Sequence, residues 1–456
     1  MLIFGCANQQ PPGGGEEDKI PPKVKIVSPK PNSTGFKSNA IVFEFNEYVD
    51  RRSFQDAFRI SPQVKGDIEF NWGGKEVEVR FPFDLYKIDA NKTFVVNINS
   101  SLKDIRGNAI AEPVNFAFST GSAIDMGGVS GLVYNAGKKI AAVLAYNLNK
   151  EYDPTKNTAD YITETSAEGI YNLTNLAAGK YRIITVIDED RNLLFTSERE
   201  SYGVLPFDVE VKDSVTLKNV NFYLKDITAD VQTGPELDYT KYFKDTLLVV
   251  FSSVEKGSRT VLPEQSIFLF FNKFKPSREV FINSFKLADE NGTPERVVFN
   301  WKNDSLVEIF SSSKFQTNRK YNLSFRLKLQ NDSIYNYNLE FRTVSENSFG
   351  EMKGVINSNY TEYNIFDFPI KIEMEAKGII PLLTYNFEAR DSVFSFKNIL
   401  DAEYSLFSFA DKNNNSLFDF GYPFPFEYSE PFYIYPQALN IKGGWTVENV
   451  VINFVK

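Results

Sequence analysis

Apolar residues recur at every second position through short stretches of this chain, and Gly, Pro, Asn and Asp separate the stretches. Ile41, Phe43 and Phe45 alternate with Val42, Glu44 and Asn46. Ile68, Phe70 and Trp72 alternate with Asp67, Glu69 and Asn71, and after Gly73-Gly74 the residues Val77, Val79 and Phe81 alternate with Glu76, Glu78 and Arg80. Period two puts each set on one face of a strand, and a Gly-Gly break between two such runs signals a hairpin. Further strands are expected at 93–98 and 114–119, and short strands at this spacing predict an antiparallel β-sandwich.

The pattern returns in order. Ile267, Leu269, Phe271 and Asn272 repeat Ile41, Phe43, Phe45 and Asn46, while Phe299-Asn300-Trp301 repeats Phe70-Asn71-Trp72. Further on, Gly354-Val355-Ile356 repeats Gly131-Leu132-Val133. The most informative match joins YSLFSFADKNNNSLFD, from Tyr404, to YRIITVIDEDRNLLFT, from Tyr181. Asp411 falls on Asp188, Asn415 on Asn192 and Phe418 on Phe195 at one offset (411 − 188 = 223). Self-similarity at a near-fixed spacing is the mark of repeated units. The fold expected is therefore all-β: tandem antiparallel β-sandwiches, internally duplicated. The boundaries expected are a tether over 1–21, sandwiches over 22–121 and 122–225, a connection over 226–244, and sandwiches over 245–343 and 344–456.

Composition agrees with sheets. Phe 42 and Tyr 23 against Met 4 suit pleated, half-buried surfaces, and 42% hydrophobic residues suffice for several cores. The net charge of −9 argues against nucleic acid as a partner. The chain has no histidine, which removes Ser-His-Asp and Cys-His nucleophilic systems and His-based zinc sites. A single cysteine permits no internal disulfide.

That cysteine is Cys6, in Leu2-Ile3-Phe4-Gly5-Cys6, which resembles the lipobox of bacterial lipoproteins. The resemblance implies lipidation of Cys6 and attachment to a membrane through that lipid. Too few residues precede Gly5 for a charged and an apolar region, so the start is expected to be truncated or wrongly placed. Residues 7–22 are dominated by Gln, Pro and Gly and read as a flexible tether. Asn8 fits transfer to the outer membrane, and Glu16-Glu17-Asp18 resembles the export signal of surface lipoproteins in the Bacteroidota.

Two resemblances concern the sandwiches. Pro21-Pro22-x-Val24, Ser28-Pro29-x-Pro31-x-Ser33, Ile41-x-Phe43-x-Phe45-x-Glu47 and Phe116-x-Phe118-Ser119-Thr120-Gly121 resemble the bacterial Ig-like domain first described in S-layer proteins. With the preceding tether, the stretch looks like a family of Bacteroidota Ig-like lipoproteins. In the second unit, Gly169-Ile170-Tyr171-Asn172-Leu173 followed by Gly179-Lys180-Tyr181 is similar to the carboxypeptidase-regulatory, transthyretin-like sandwich. Gly169 is expected at a turn with positive φ.

Candidate chemistry gathers at one loop. Asp411, Asn413, Asn415, Asp419 and the Leu417 carbonyl have the alternate-residue oxygen spacing of calcium loops, since a hard cation needs six to eight converging oxygens. The sister loop has Asp188, Asp190 and Asn192 but Thr196 at the closing position, one charge fewer, and is the weaker candidate. The same residues equally make an Asn/Asp turn that bonds its own backbone. Tyr422, Phe424 and Tyr428, in a Pro-broken aromatic run, either stack on a glycan or pack as a loop against a sandwich. The function expected is non-catalytic: a lipid-anchored outer-membrane protein, surface-exposed, that binds or scaffolds envelope proteins. One version makes it an accessory subunit of an outer-membrane assembly or secretion machine, and the alternative is a glycan-binding lipoprotein of a nutrient-uptake system. No cofactor is required, and calcium is the one ion suggested.

Overall fold

A computed structural model describes residues 18–64, 66–88, 90–227, 249–272, 276–329, 333–377 and 383–456. Cys6, the tether through 17 and the connection over 228–248 lie outside the described residues. The chain divides into two compact units, Met1–Thr228 with Phe420–Ser429, and Ala229–Asp419 with Glu430–Lys456.

The first unit opens with β1 (Val24–Ser28), β2 (Ala40–Phe45), α1 (Arg51–Ala57), β3 (Phe58–Ser61), β4 (Glu69–Gly73), β5 (Glu76–Arg80), α2 (Leu85–Ile88), β6 (Thr93–Ile98) and β7 (Val114–Ser119). Its sheets run β1-β2-β5-β4 and β3-β6-β7. The alternation seen in the sequence is the burial pattern: Ile41, Phe43, Val77, Val79, Phe94 and Phe118 are sealed between the sheets. The helix α1 was not legible as a helix, because Ser53, Phe54 and Ala57 face inward over only 7 residues, too short a run to display a period. Asp50 caps it by accepting from the Arg52 amide at 3.0 Å. It delivers Phe54, wholly buried, against Phe43, Phe45, Phe58, Phe70 and Trp72.

The second sandwich contains β8 (Gly127–Tyr134), β9 (Ala142–Asn147), β10 (Tyr161–Glu164), β11 (Ile170–Leu176), β12 (Gly179–Val186), β13 (Tyr202–Val204), β14 (Val209–Val211), β15 (Thr216–Leu217) and β16 (Phe222–Tyr223). One sheet is β10-β9-β12-β13 with β14 also on β12, and the other is β11-β8-β15 with β16 also on β8. Gly169 stands at φ 82° in the turn before β11, as expected.

The second unit repeats both designs. Its first sandwich has β17 (Val250–Ser252), β18 (Ile267–Phe271), α3 (Arg278–Ser284), β19 (Lys286–Asp289), β20 (Val297–Asn303), β21 (Leu306–Ser311), β22 (Lys320–Lys328) and β23 (Ile334–Arg342), in sheets β17-β18-β21-β20 and β19-β22-β23. Phe281 of α3 fills the place of Phe54, against Phe271, Phe285, Phe299 and Trp301. Trp72 and Trp301 are half-buried in both copies, stacked on Phe45 and Phe271, with Arg51 and Arg278 over their rings at 5.4 and 4.9 Å.

The last sandwich has β24 (Phe349–Ser358), β25 (Ile370–Ala376), β26 (Thr384–Ala389), β27 (Val393–Leu400), β28 (Ala402–Ala410), β29 (Phe432–Ile434), β30 (Leu439–Ile441) and β31 (Thr446–Phe454). Its sheets are β26-β25-β28-β29, with β30 also on β28, and β27-β24-β31. In both sandwiches of this type the last strand runs parallel to the first: β15 and β16 on β8, and β31 on β24. Glycine permits that approach. A Cβ on Gly131 would lie 2.1 Å from the Val220 carbonyl oxygen, and one on Gly354 would lie 2.0 Å from that of Val450. This is the physical content of the Gly131–Gly354 match.

Candidate functional site

The twin loops leave β12 and β28, the central strands of equivalent sheets. Tyr181 and Tyr404 anchor those strands alike: each is fully buried, and each hydroxyl donates to a carbonyl four residues back, Ala177 at 3.0 Å and Leu400 at 2.8 Å.

In the second unit, Asp411 is sealed at 0% exposure and its carboxylate accepts from the amides of Asn415 at 3.0 Å and Ser416 at 2.9 Å. Asn413 and Asn415 accept from the next odd-numbered amides, at 3.1 and 2.7 Å, and donate their side-chain amides to Asp419 Oδ2 at 2.6 and 3.1 Å. Leu417 is an exposed residue of this loop. The structure adds Glu430, which the sequence reading passed over. It is buried, and its two oxygens accept from the Lys412 amide at 2.5 Å and the Asp419 amide at 3.1 Å. Burial pushes its carboxyl up to about 7, against the pull of those two amides and with the charges of Asp419 and Asp411 adding to the rise. The Lys371 ammonium lies 3.7 Å from Asp411 Oδ2.

The loop of the first unit follows the same backbone course. Asp188 accepts from the amides of Asn192 at 3.1 Å and Leu193 at 3.0 Å, and Asn192 Oδ1 accepts from Leu194 at 2.6 Å. Asp190 accepts from the Asn192 amide and side chain at 3.1 and 2.9 Å. Glu200 is the counterpart of Glu430. It is 2% exposed, and Oε2 accepts from the Thr196 amide at 2.9 Å. Its Oε1 is buried and makes no hydrogen bond of ordinary geometry, although the Glu189 amide still pulls on the carboxyl. Carboxylate oxygens of Asp188, Asp190 and Glu200 all lie within 4.8 Å of one another. Burial pushes Glu200 up to about 7, the Thr196 and Glu189 amides oppose, and the charges of Asp188 and Asp190 add to the rise. Burial likewise raises Asp188 above its ordinary value.

A signal for both glutamates existed. Each stands two residues before the strand that follows its loop, β13 at Tyr202 or β29 at Phe432. The constant-offset match hid them, because the second loop is seven residues longer (430 − 411 = 19 against 200 − 188 = 12).

The aromatic run belongs to the first unit, where Phe420–Ser429 packs on the second sandwich. Tyr422 is half-buried, edge-on to Phe195 and Tyr202 at 5.8 and 5.4 Å. Phe424 is half-buried, and Tyr428 is 43% exposed with its hydroxyl donating to Asp208 at 2.7 Å. The Arg182 guanidinium makes two bonds to Asp208, at 2.9 and 3.0 Å, and lies 3.6 Å from the centre of the Phe426 ring and 4.9 Å from that of Tyr152. The rings of Tyr422, Phe426 and Tyr428 serve packing and a cation–π contact inside the unit.

Residues 18–120 match the family model of the bacterial Ig-like domain. No curated protein matches the chain. Solved structures that overlay on it include CopC from Methylosinus trichosporium OB3b, at 12% identity over 21% of this chain and 90% of that one, with a TM-score of 0.18. An L,D-transpeptidase from Mycobacterium smegmatis overlays at 10% identity over 46% of this chain and 93% of that one, with a TM-score of 0.17. The surface layer protein SbsC, domains 1-6, overlays at 10% identity over 87% of this chain and 66% of that one, with a TM-score of 0.16. Overlays this low carry no argument about activity, ligand or location. No helix among the described residues is long and apolar enough to cross a membrane.

Proposed function

We propose that this chain is a non-catalytic cell-envelope protein, held to the outer membrane by a lipid on Cys6, whose sandwiches bind or scaffold other envelope proteins. The observation that carries the reading is the bacterial Ig-like match over residues 18–120, directly after a cysteine in a lipobox-like setting and a Gln/Pro/Gly-rich stretch. The rest of the chain supports it. The absence of histidine removes the commonest nucleophilic systems, and the carboxylates of the twin loops are engaged by the amides of their own turns. The finer version is an accessory subunit of an outer-membrane assembly or secretion machine. The glycan-binding alternative draws less support, because the Tyr422 ring sits against Phe195 and Tyr202 and the Tyr428 hydroxyl is held by Asp208.

Metabolic labelling of the native cells with an alkyne fatty acid tests the anchor. The protein takes up the label and the Cys6→Ser variant does not; an unlabelled wild type in the soluble fraction overturns the anchor. Purification of the lipidated protein in mild detergent tests the scaffold, and recovery of this chain alone counts against it.

A further inference from the structure

The twin loops look interchangeable in sequence and are electrostatically different in the structure. Strand register fixes their surroundings. Lys371 pairs with Phe409, and Ala142 pairs with Val186, which is the residue equivalent to Phe409 (409 − 186 = 223). The first unit therefore has Ala142 where the second has the lysine that lies beside Asp411. In the second unit β25 brings a cation to the loop, Lys371, which is paired with Glu388 at 2.9 Å and lies 3.7 Å from Asp411; both oxygens of Glu430 accept backbone amides, and Asp419 takes two side-chain amides. The first loop keeps carboxylate oxygens of Asp188, Asp190 and Glu200 within 4.8 Å of one another, with Glu200 Oε1 buried and lacking the well-formed amide bond that its counterpart in Glu430 has. A buried carboxylate oxygen without a donor costs a few kcal/mol unless something positive meets it.

We propose that the Asp188 loop is a calcium site, with Asp188, Asp190, Asn192 and Glu200 as its side-chain ligands. Every donor is oxygen, which selects a hard cation and disfavours zinc or copper. Asp188 and Asp190 accept amides but retain lone pairs on each oxygen, as carboxylates can. Asn192 offers Oδ1, and Glu200 offers Oε1 with Oε2 behind it. Backbone carbonyls and water complete the count for calcium, which tolerates irregular shells of about six to eight oxygens where magnesium demands a near-ideal octahedron. The loop borders an open cleft of about 240 Å³ lined by Asp56, Arg59, Asn99, Glu164 and Arg191, so an ion reaches it from solvent. Three carboxylates this close repel one another, and a bound cation relieves that repulsion. The site does not depend on membrane anchoring or on partners.

The test is isothermal titration of the full chain with calcium chloride after chelator treatment, with thermal melts in calcium and in EGTA. Wild type binds calcium and melts higher with it. Glu200→Gln keeps an oxygen for the Thr196 amide but removes the charge. It loses calcium affinity by on the order of tenfold or more, loses the calcium-dependent rise in Tm, and melts above wild type in EGTA because one of three crowded charges is gone. A merely structural glutamate gives no such rise. Asp190→Asn, at an exposed position, weakens binding without disturbing the fold. Glu430→Gln leaves calcium binding as in wild type. The proposal is overturned by a wild type that binds no calcium at millimolar concentration. It is equally overturned by binding that survives both Glu200→Gln and Asp190→Asn, or that disappears in Glu430→Gln while surviving in Glu200→Gln.

Discussion

Replacing Gly354 by alanine adds one methyl group where the parallel pair β24–β31 comes closest. The new Cβ would meet the Val450 carbonyl oxygen at 2.0 Å, the Phe394 ring edge at 2.5 Å and the Val450 carbonyl carbon at 2.9 Å. Ordinary van der Waals contact begins near 3.4 Å, so the carbonyl has to retreat by roughly 1.4 Å (3.4 − 2.0). A retreat of that size breaks the flanking ladder bonds, at about 1 kcal/mol each, and displaces Val450 and Phe394 from the core, an overpacking cost of about 1–3 kcal/mol. The expected loss is therefore about 3–5 kcal/mol, or a fall of some 12 °C or more in the melting of a domain of this size. Calorimetry measures the fall, and amide hydrogen exchange locates it. Peptides from β24 and β31 lose protection, while peptides from β2 and β5 do not. Gly137→Ala is the control, since Gly137 has φ 62° but open space around its Cβ position; strain alone costs it about 1–2 kcal/mol. A Gly354→Ala protein that melts within 2 °C of wild type with unchanged exchange in β24 would refute the close-approach argument.

Three further outcomes follow from the geometry. Phe426→Ala removes the ring against the Arg182 guanidinium and leaves the charge on a half-open face, lowering the stability of the first unit by about 1–2 kcal/mol and raising exchange in the segment over 420–429; Phe366→Ala, outside that contact, leaves that exchange unchanged. Tyr171→Phe deletes a fully buried hydroxyl that donates to the Val220 carbonyl at 2.6 Å, at a cost of about 1–2 kcal/mol read by urea unfolding; a cost below about 0.3 kcal/mol rejects that bond. Asp104 answers to pH: burial works to raise its carboxyl, but bonds from Asn108, Arg106 and Gly107 outweigh burial and hold it below its ordinary value, even with Asp18 and Glu47 nearby. A depressed carboxylate stabilises above its unfolded pKa, and that contribution fades as pH falls through the folded value, so wild type loses melting temperature below about pH 4 and Asp104→Asn shows a flatter acid limb.

The sandwiches were legible because their strands obey period two and their cores are aromatic. Ile41, Phe43 and Phe45 point inward as the alternation demands, and Trp72 and Trp301 occupy equivalent half-buried positions. Less legible were the elements whose signal is short or long-range. Helices α1 and α3 each span 7 residues and declare themselves only through Phe54 and Phe281 in the core. The parallel closing strands are set by contacts across some 90 residues, such as Val220 over Gly131, and local propensity says nothing of them.

The twin loops show most clearly where sequence reading stops. Counting oxygens at fixed spacing within each loop favours the Asp411 loop over the Asp188 loop. The count missed one carboxylate in each copy, because Glu200 and Glu430 lie at different distances from their loops. It also could not see the lysine, since Lys371 precedes Asp411 by 40 residues (411 − 371 = 40) and reaches it only through the pairing of β25 with β28. A duplicated turn conserves its backbone hydrogen bonds, which need only Asp and Asn at alternate positions. Its charge balance depends on neighbours contributed by other strands, and those differ between the copies. The same loop thus has both oxygens of its glutamate on backbone amides in one unit and a glutamate oxygen without an ordinary hydrogen bond in the other, and the proposed calcium site rests on that difference.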